Sequence, residues 1–485
     1  MYRTSFWLLA TLFVTACGGE NEARQTITFN NRAPVLSSPV ADQDANVGYS
    51  FQLDLSRAFS DIDGDPLTLS VDFGSDARGL SFSGTTISGT PNSPGTITVQ
   101  YSAADPSGRS AEDTFELEIG IQQTAIQRVF AGRIDLENLN NYANQTVPNY
   151  ITRVNDGGNP IADAGATLGR VLFYDKSLSI DDSVSCASCH KQSLAFSDAD
   201  IVSRGVQGGR TVRHSMSLVH TLFAEEEKFF WEERAPSLEA QESQPLRAHT
   251  EMGFSGEDGR PNFDELISRM EATEYYEELF RFVYLDPAIT EHRIQRALAQ
   301  FTKSIQSFDS RYDEGRAQVD NNDAPFPNFT ADENAGKTLY TLDVADGGAG
   351  CDICHRAPEF DIVPDSFPNG IFRVAGSDTE FDLTNVRSPS LRDMVGPGGR
   401  SNGPFMHDGS LATLREMIDH YDKIVPPTSE PPLSDFLNTL DLRLVVNGQP
   451  QDLNLSEARK DQLEAFLLTL TGESIYTDEK LSDPF

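Results

Sequence analysis

The sequence predicts a multidomain chain: an N-terminal all-β sandwich followed by two mainly α-helical domains. Three observations predict it. Short runs of alternating apolar and polar residues recur between turn signals from about residue 31 to residue 121. From about Ile126 onward the apolar periodicity is helical. Within the helical part a Cys-x-x-Cys-His pentapeptide occurs twice, as Cys186, Cys189, His190 and again as Cys351, Cys354, His355. That pentapeptide has a chemical logic. Two thiols three positions apart reach the two vinyl groups of one porphyrin, and the next residue sets an imidazole under the iron, which is how a c-type haem is attached. A CxxC redox pair or a structural zinc site competes for each pair taken alone. A histidine directly after both pairs argues for haem. The prediction is two covalently bound c-type haems in two cytochrome-c-like domains, 126–310 and 311–485.

The N-terminus reads as targeting rather than structure. Arg3 precedes an apolar run from Phe6 to Val14 that is too short to span a bilayer. Val14, Thr15, Ala16 and Cys17 resemble the lipobox of bacterial lipoproteins, so residues 1–17 are expected to be a lipoprotein signal segment with a lipid on Cys17. Residues 18–30 are a polar linker, and Gly18 in place of an aspartate after the cysteine points to the outer membrane. The expected location is therefore periplasm-facing, anchored through Cys17, which suits haems attached outside the cytoplasm. Of five cysteines the haem motifs use four and the lipobox the fifth. The net charge of −36, from 74 acids against 38 bases, excludes a nucleic-acid partner, which needs a basic footprint. It suits a basic redox partner, and equally a plain solvated acidic surface.

In chain order, strands are expected over Ser50 to Leu55, Leu67 to Phe73, Thr86 to Ser88, Thr96 to Ala103 and Thr114 to Ile119. The stretch Phe59-Ser-Asp-Ile-Asp-Gly-Asp-Pro and the later Ala104-Asp-Pro-Ser-Gly resemble cadherin-like modules of bacterial surface proteins. Asp61, Asp63 and Asp65 are hard oxygen ligands suited to calcium. The reading the residues favour is an acidic turn shaped by Gly64 and Pro66. The module (31–121) is expected to be a spacer or docking unit. Beyond it, helices are expected over Ala164 to Tyr174, Phe263 to Tyr284, Glu291 to Phe308 and about Ser456 to Leu470. Thr330 with Glu333, and Thr413 with Glu416, are capping-box signatures that open two more.

Residues from about Ile126 to Phe485 resemble the bacterial di-haem cytochrome c peroxidase family, which includes MauG-type enzymes. The resemblance rests on motifs in order: Leu168-Gly-Arg-Val-Leu-Phe-Tyr-Asp, the first haem site, Phe230-Trp-Glu-Glu-Arg-Ala, Gln241 to Met252, the second haem site, Pro389-Ser-Leu-Arg, and Pro404-Phe-Met-His-Asp-Gly-Ser. It implies a peroxide-reacting haem on His190 and an electron-storing haem on His355. It places the acid–base role that peroxide cleavage requires on Glu251, with Gln241 and Pro245 lining the same pocket. A surface glutamate is the alternative for Glu251. Trp231 matches the family's bridging tryptophan, against the alternative of a core tryptophan. The resemblance also implies a calcium ion between the haem domains, at positions His214, Asn402 and Pro404. Here His214 replaces an asparagine and Asn402 a threonine, and histidine is a poor calcium ligand.

Two departures matter. The resting peroxidases of the family carry a distal histidine near the positions of Val206 and Gln207, whereas no histidine lies between His190 and His214. An open first haem is expected. The sixth ligand of the second haem is usually a methionine fourteen residues beyond the position of His407, which here is Tyr421, as in MauG-type enzymes. Leu414, Met417, Ile418 and Tyr421 share one helix face, so Tyr421 can point inward. Met406, His407 and His420 compete with it, and an ordinary core tyrosine is the alternative. The function expected is reduction of hydrogen peroxide, with electrons from a small redox protein or from side chains of a partner protein. The rival readings are a plain di-haem electron-transfer cytochrome, for which Glu251 has no use, and a surface adhesion or scaffold protein.

Overall fold

A computed structural model describes residues 30–121, 123–377, 379–428 and 430–485. The signal segment, Cys17 and the linker up to residue 29 lie outside the described residues. The chain divides into two compact units, residues 1–122 and 123–485.

In the N-terminal unit a four-stranded sheet runs in the order Gln43–Asn46, Ser110–Gly120, Gly95–Ala104, Thr68–Asp72. A three-stranded sheet runs in the order Phe51–Asp54, Thr86–Gly89, Leu80–Ser83. The alternation is physical: Ile97, Val99, Tyr101 and Ala103 turn inward from one strand and join Phe115, Leu117 and Ile119 of the next in a single core with Leu55 and Ile87. Gln43–Asn46 pairs in parallel with Leu117–Gly120, and its one apolar residue, Ala45, left it without a pattern to read. The acidic turn forms as predicted, with Asp61 Oδ1 accepting from the backbone N–H of Asp63 (2.7 Å) and of Asp65 (3.3 Å). Its carboxylates group differently from the sequence expectation. Asp63 is drawn off to Arg32 at 2.8 Å, and the oxygens that come within 4.8 Å of one another belong to Asp61, Asp65 and Asp105.

The second unit is helical and has two apolar cores. One gathers side chains from Ile126 to Ile305, the other from Tyr312 to Leu470. The C-terminal tail returns Ile475 and Leu481 to the first core. Each core is built on the same device, an early helix crossing a late one at a glycine. Helix Asp163–Tyr174 crosses Glu291–Lys303 at Gly169, where a Cβ would lie 2.0 Å from the Ala297 carbonyl oxygen. Helix Ala331–Thr341 crosses Glu457–Leu468 at Gly336, where a Cβ would lie 1.8 Å from the Gln462 carbonyl oxygen. Any side chain there would push the helices apart. Both predicted capping boxes are present, Thr330 with Glu333 and Thr413 with Glu416. Two helices are shorter than the periodicity suggests. The stretch from Phe263 to Tyr284 breaks at Ala272 and Thr273, because extended Thr273 starts a second helix as its N-cap. The next helix ends at Lys303, where the Ser304 hydroxyl turns back to the Phe301 carbonyl at 2.6 Å.

A buried ion pair joins the two cores. Arg392 donates to both oxygens of Asp313, at 2.9 and 3.0 Å, with side chains 0% and 4% exposed. Arg392 also donates to the Pro358 carbonyl at 2.9 Å, and Tyr150, from the first half, donates to Asp313 at 2.7 Å. The guanidinium beside it holds the Asp313 carboxyl below the usual range despite burial. Removing one partner of such a pair strands the other charge, at a cost of about 3–5 kcal/mol. Arg392→Ala is expected to lower the stability of the helical unit by about that amount in denaturant titration. Because the Asp313 pKa is depressed on folding, its contribution is present above the unfolded carboxylate value of about 3.9 and fades as pH falls through the lower folded value. The gap between wild type and Arg392→Ala should therefore narrow in acid.

Candidate active site

The first cavity forms around the pentapeptide Cys186 to His190. Cys186–Cys189 is one helical turn, and Ser185 caps it together with Ser188. His190 follows at the C-terminal end, with its N–H on the Cys186 carbonyl. His190 Nδ1 lies 3.0 Å from the Phe196 carbonyl, so with its proton on that nitrogen Nε2 keeps its lone pair for a metal. Glu251, Gln241 and Pro245, far off in sequence, line the same cavity. Gln241 sits on helix Leu238–Glu242 and Pro245 opens Gln244–Arg247. Glu251 lies in the turn that follows, where Met252 N–H donates to the Pro245 carbonyl at 3.2 Å. That turn packs on the segment around Gly205 and Val206. Val206 N–H donates to the Glu251 carbonyl at 2.9 Å, and a Cβ on Gly205 would lie 1.9 Å from the Thr250 oxygen. Among the residues lining this cavity the one histidine is His190.

The second cavity is larger. It is lined by Cys351, Cys354 and His355, and by Tyr421 and Met406. Tyr421 lies near the end of helix Leu414–Asp422, whose Leu414, Met417 and Ile418 are buried. The competing ligands sort by their partners. His420 Nε2 is held by the Asn369 carbonyl at 3.0 Å, and His407 Nε2 by the Arg373 carbonyl at 2.9 Å. Tyr421 and Met406 both line the cavity, and both are touched by the side-chain amide of Asn369.

Trp231 belongs to the second cavity. It lines the second one, its indole N–H donates to the His214 carbonyl at 2.8 Å, and its ring packs edge-on to His407 at 6.2 Å. Ser215, next to His214, lines both cavities. The positions implied for calcium, His214, Asn402 and Pro404, all face the second cavity. Their side chains are otherwise engaged. His214 Nδ1 lies 3.0 Å from the Asp200 carbonyl, and Asn402 Nδ2 donates to the Asp393 carbonyl (2.7 Å) and Tyr476 (2.9 Å).

Burial sets the charge state of every group. It pushes the thiols up, Cys189 and Cys354 to about 11 and Cys351 to about 12. Each pair of neutral thiols is followed directly by a histidine, the arrangement that attaches a c-type haem. Burial lowers His190, and His355 to about 4, which keeps both imidazoles neutral as metal ligands must be. It raises Glu251 to about 6, against an opposing pull from Arg234. Thiols and imidazoles fit a covalent porphyrin in each cavity. Two residues on these walls escaped the sequence reading. Glu242 is buried, accepts from Thr302 at 2.9 Å and is raised to about 8 by desolvation. Asn369 lies in a Pro-Asn-Gly turn whose existence was readable but whose direction was not.

Similarity to known proteins agrees with this geometry. The di-haem cytochrome c peroxidase family model matches residues 163–321, and an Ig-domain model matches 33–120. The methylamine utilization protein MauG of Methylorubrum extorquens is 32% identical over 326 residues, 65% of this chain and 80% of that protein. The cytochrome-c peroxidase IdrP1 of Denitromonas iodatirespirans is 26% identical, covering 67% of this chain and 86% of that protein. Among solved structures, a MauG-like protein associated with microbial copper homeostasis superposes with a TM-score of 0.56 at 29% identity, over 70% of this chain and 99% of that one. With two haem-attachment sites and a carboxyl, an amide and a proline gathered over one of them, the chain belongs to the di-haem cytochrome c peroxidase/MauG family of oxidoreductases.

Proposed function

We propose that the chain reduces hydrogen peroxide to water at the first cavity, with electrons that enter from outside and pass through the second. The observation that carries this is the convergence of Glu251, Gln241 and Pro245 on the cavity of Cys186, Cys189 and His190. When bound, the haem on His190 supplies an open iron position for peroxide and the haem on His355 supplies electron storage. Glu251 takes the proton from the incoming peroxide and returns it to the departing oxygen; each turnover consumes two electrons and two protons and yields two waters. Gln241 orients the peroxide through its amide, and Pro245 walls the pocket. Trp231 relays electrons between the halves, which divide as a peroxidatic domain (126–310) and an electron-transfer domain (311–485). Tyr421 would hold the iron of the second haem through its phenol oxygen, and the lone histidine on the first cavity wall supports an enzyme that reacts while fully oxidised. A phenolate favours ferric iron, which suits a MauG-type enzyme.

The electron donor is a small redox protein, or side chains of a partner protein; the acidic surface favours a basic one. The enzyme faces the periplasm on a lipid anchor at Cys17, and the sandwich (31–121) is a spacer. Calcium would be held through oxygen atoms near His214, Asn402 and Pro404, since the imidazole of His214 is a poor ligand for it and meets the Asp200 carbonyl. Among the described residues no helix is long and apolar enough to cross a membrane.

Denaturing mass spectrometry should find two covalent haems, and replacing Cys351 and Cys354 by alanine should leave one. A protein without added mass overturns the haem assignment. Glu251→Gln keeps the shape and cannot carry the proton, so the reaction of peroxide with the oxidised enzyme, followed by stopped flow, should slow roughly a hundredfold or more. In the wild type that rate should fall as pH drops below about 6, where Glu251 takes up its own proton and ceases to be a base. Tyr421→Phe should alter the ferric spectrum of the second haem and raise its potential, because loss of an anionic ligand favours ferrous iron. An unchanged spectrum assigns the ligand elsewhere.

A further inference from the structure

The second cavity is lined by two side chains that could each ligate an iron, Tyr421 and Met406, and one amide touches both. Asn369 Nδ2 donates to the Tyr421 phenol oxygen at 2.9 Å and to Met406 Sδ at 3.4 Å, and all three residues line the cavity. The amide cannot turn round freely. Its Oδ1 accepts the Ile371 N–H at 3.2 Å, so the NH2 end is the one that faces Tyr421 and Met406. Its main-chain carbonyl is held by His420 Nε2 at 3.0 Å. Gly370 follows at φ +93°, where a Cβ would also lie 2.8 Å from Ile424 Cγ2, so the turn that carries the amide is preformed. Met406 is held as firmly. It sits at φ 71°, a left-handed conformation that a non-glycine residue keeps only where its surroundings enforce it.

We infer that Asn369 is a positioning residue that selects the sixth ligand of the second haem, presenting the Tyr421 oxygen and holding the Met406 thioether back. The inference rests on the reading of Tyr421 as ligand. A phenolate bound to iron still needs a donor in a buried site, and an N–H bond to an anionic oxygen is roughly twice as strong as one between neutral groups. A thioether is a weak acceptor, so the same amide gains less from Met406 but occupies a sulfur lone pair. Both hydrogens of the amide are thus spent in one direction, towards phenolate ligation. Without the donor, the phenolate loses its compensation while a sulfur one hydrogen bond away is released. Axial-ligand identity is the strongest lever a protein has on haem potential, and methionine raises it. One neutral amide therefore decides whether the second haem favours the ferric state or becomes readily reducible.

The test uses the holoenzyme and four variants: Asn369→Asp, Asn369→Leu, Met406→Leu and Tyr421→Phe. Asn369→Asp keeps the shape and loses the donor, so it carries the test where Asn369→Leu fails to take up haem. The readouts are the resonance Raman modes and charge-transfer bands of iron-bound phenolate, the far-red band of iron-bound thioether, and the potential of the second haem. Asn369→Asp and Asn369→Leu should lose phenolate signals, gain the thioether band and titrate at higher potential. Adding Met406→Leu to either should abolish the thioether band without restoring the phenolate. Met406→Leu alone should leave the wild-type spectrum. If both Asn369 variants keep wild-type phenolate signals and potential, the selection role is wrong even though Tyr421 is the ligand. If Tyr421→Phe also leaves the spectrum unchanged, the ligand assignment itself fails.

Discussion

The Arg392–Asp313 ion pair is the constraint on which the helical unit depends. Burying both charges is expensive, and Coulomb attraction offsets that cost only where geometry is good and the remaining polar atoms are bonded. Here the fork of Arg392 meets both carboxylate oxygens, Tyr150 and Ser310 donate to the same carboxylate, and the guanidinium lies among the rings of Phe308, Tyr312 and Phe360. Tyr150 belongs to the first half, Asp313 opens the second, and Arg392 ends the Pro389-Ser-Leu-Arg motif. One buried charge pair therefore ties three remote stretches together, and the two cavities with them.

The seam between the cavities is made mostly of backbone bonds. The His214 carbonyl receives the indole of Trp231, His214 N–H donates to the His407 carbonyl at 2.8 Å, and Val386 and Arg387 donate to the Trp231 carbonyl at 2.9 and 3.0 Å. A tryptophan held at its ring nitrogen and at its own carbonyl has little freedom. Main-chain contacts of this kind tolerate side-chain replacement at His214.

The two cavities differ in the chemistry their walls allow. Burial is common to both and drives thiols and imidazoles alike to their neutral forms. The first adds two carboxyls, Glu251 and Glu242, and an amide, which is equipment for moving protons. The second adds a phenol, a thioether and an amide, which is equipment for holding a metal and setting its potential. These few side chains distinguish the two cavities, on two halves built alike around a glycine-mediated helix crossing.

What the sequence determined by itself is what depends on neighbours a few residues apart. The pentapeptides Cys186 to His190 and Cys351 to His355 fold within about a turn, so haem attachment could be read directly. The alternation of Ile97, Val99, Tyr101 and Ala103 showed a sandwich strand, and Thr330 with Glu333 showed a helix start, for the same local reason. Glu251, Gln241 and Pro245 were legible only through family resemblance, since no local rule brings them over His190. The tertiary structure alone decided the rest. Gln43–Asn46 is a strand because an edge of Ser110–Gly120 was free to pair, and Asp105 replaces Asp63 beside Asp61 because Arg32 draws Asp63 away. Two of the four candidate ligands to the second haem, His420 and His407, have Nε2 on carbonyls fifty-one and thirty-four positions away in the chain, at Asn369 and Arg373. Hydrogen-bond partners of that kind are set by how the chain returns on itself, and no window of sequence contains both ends of the bond.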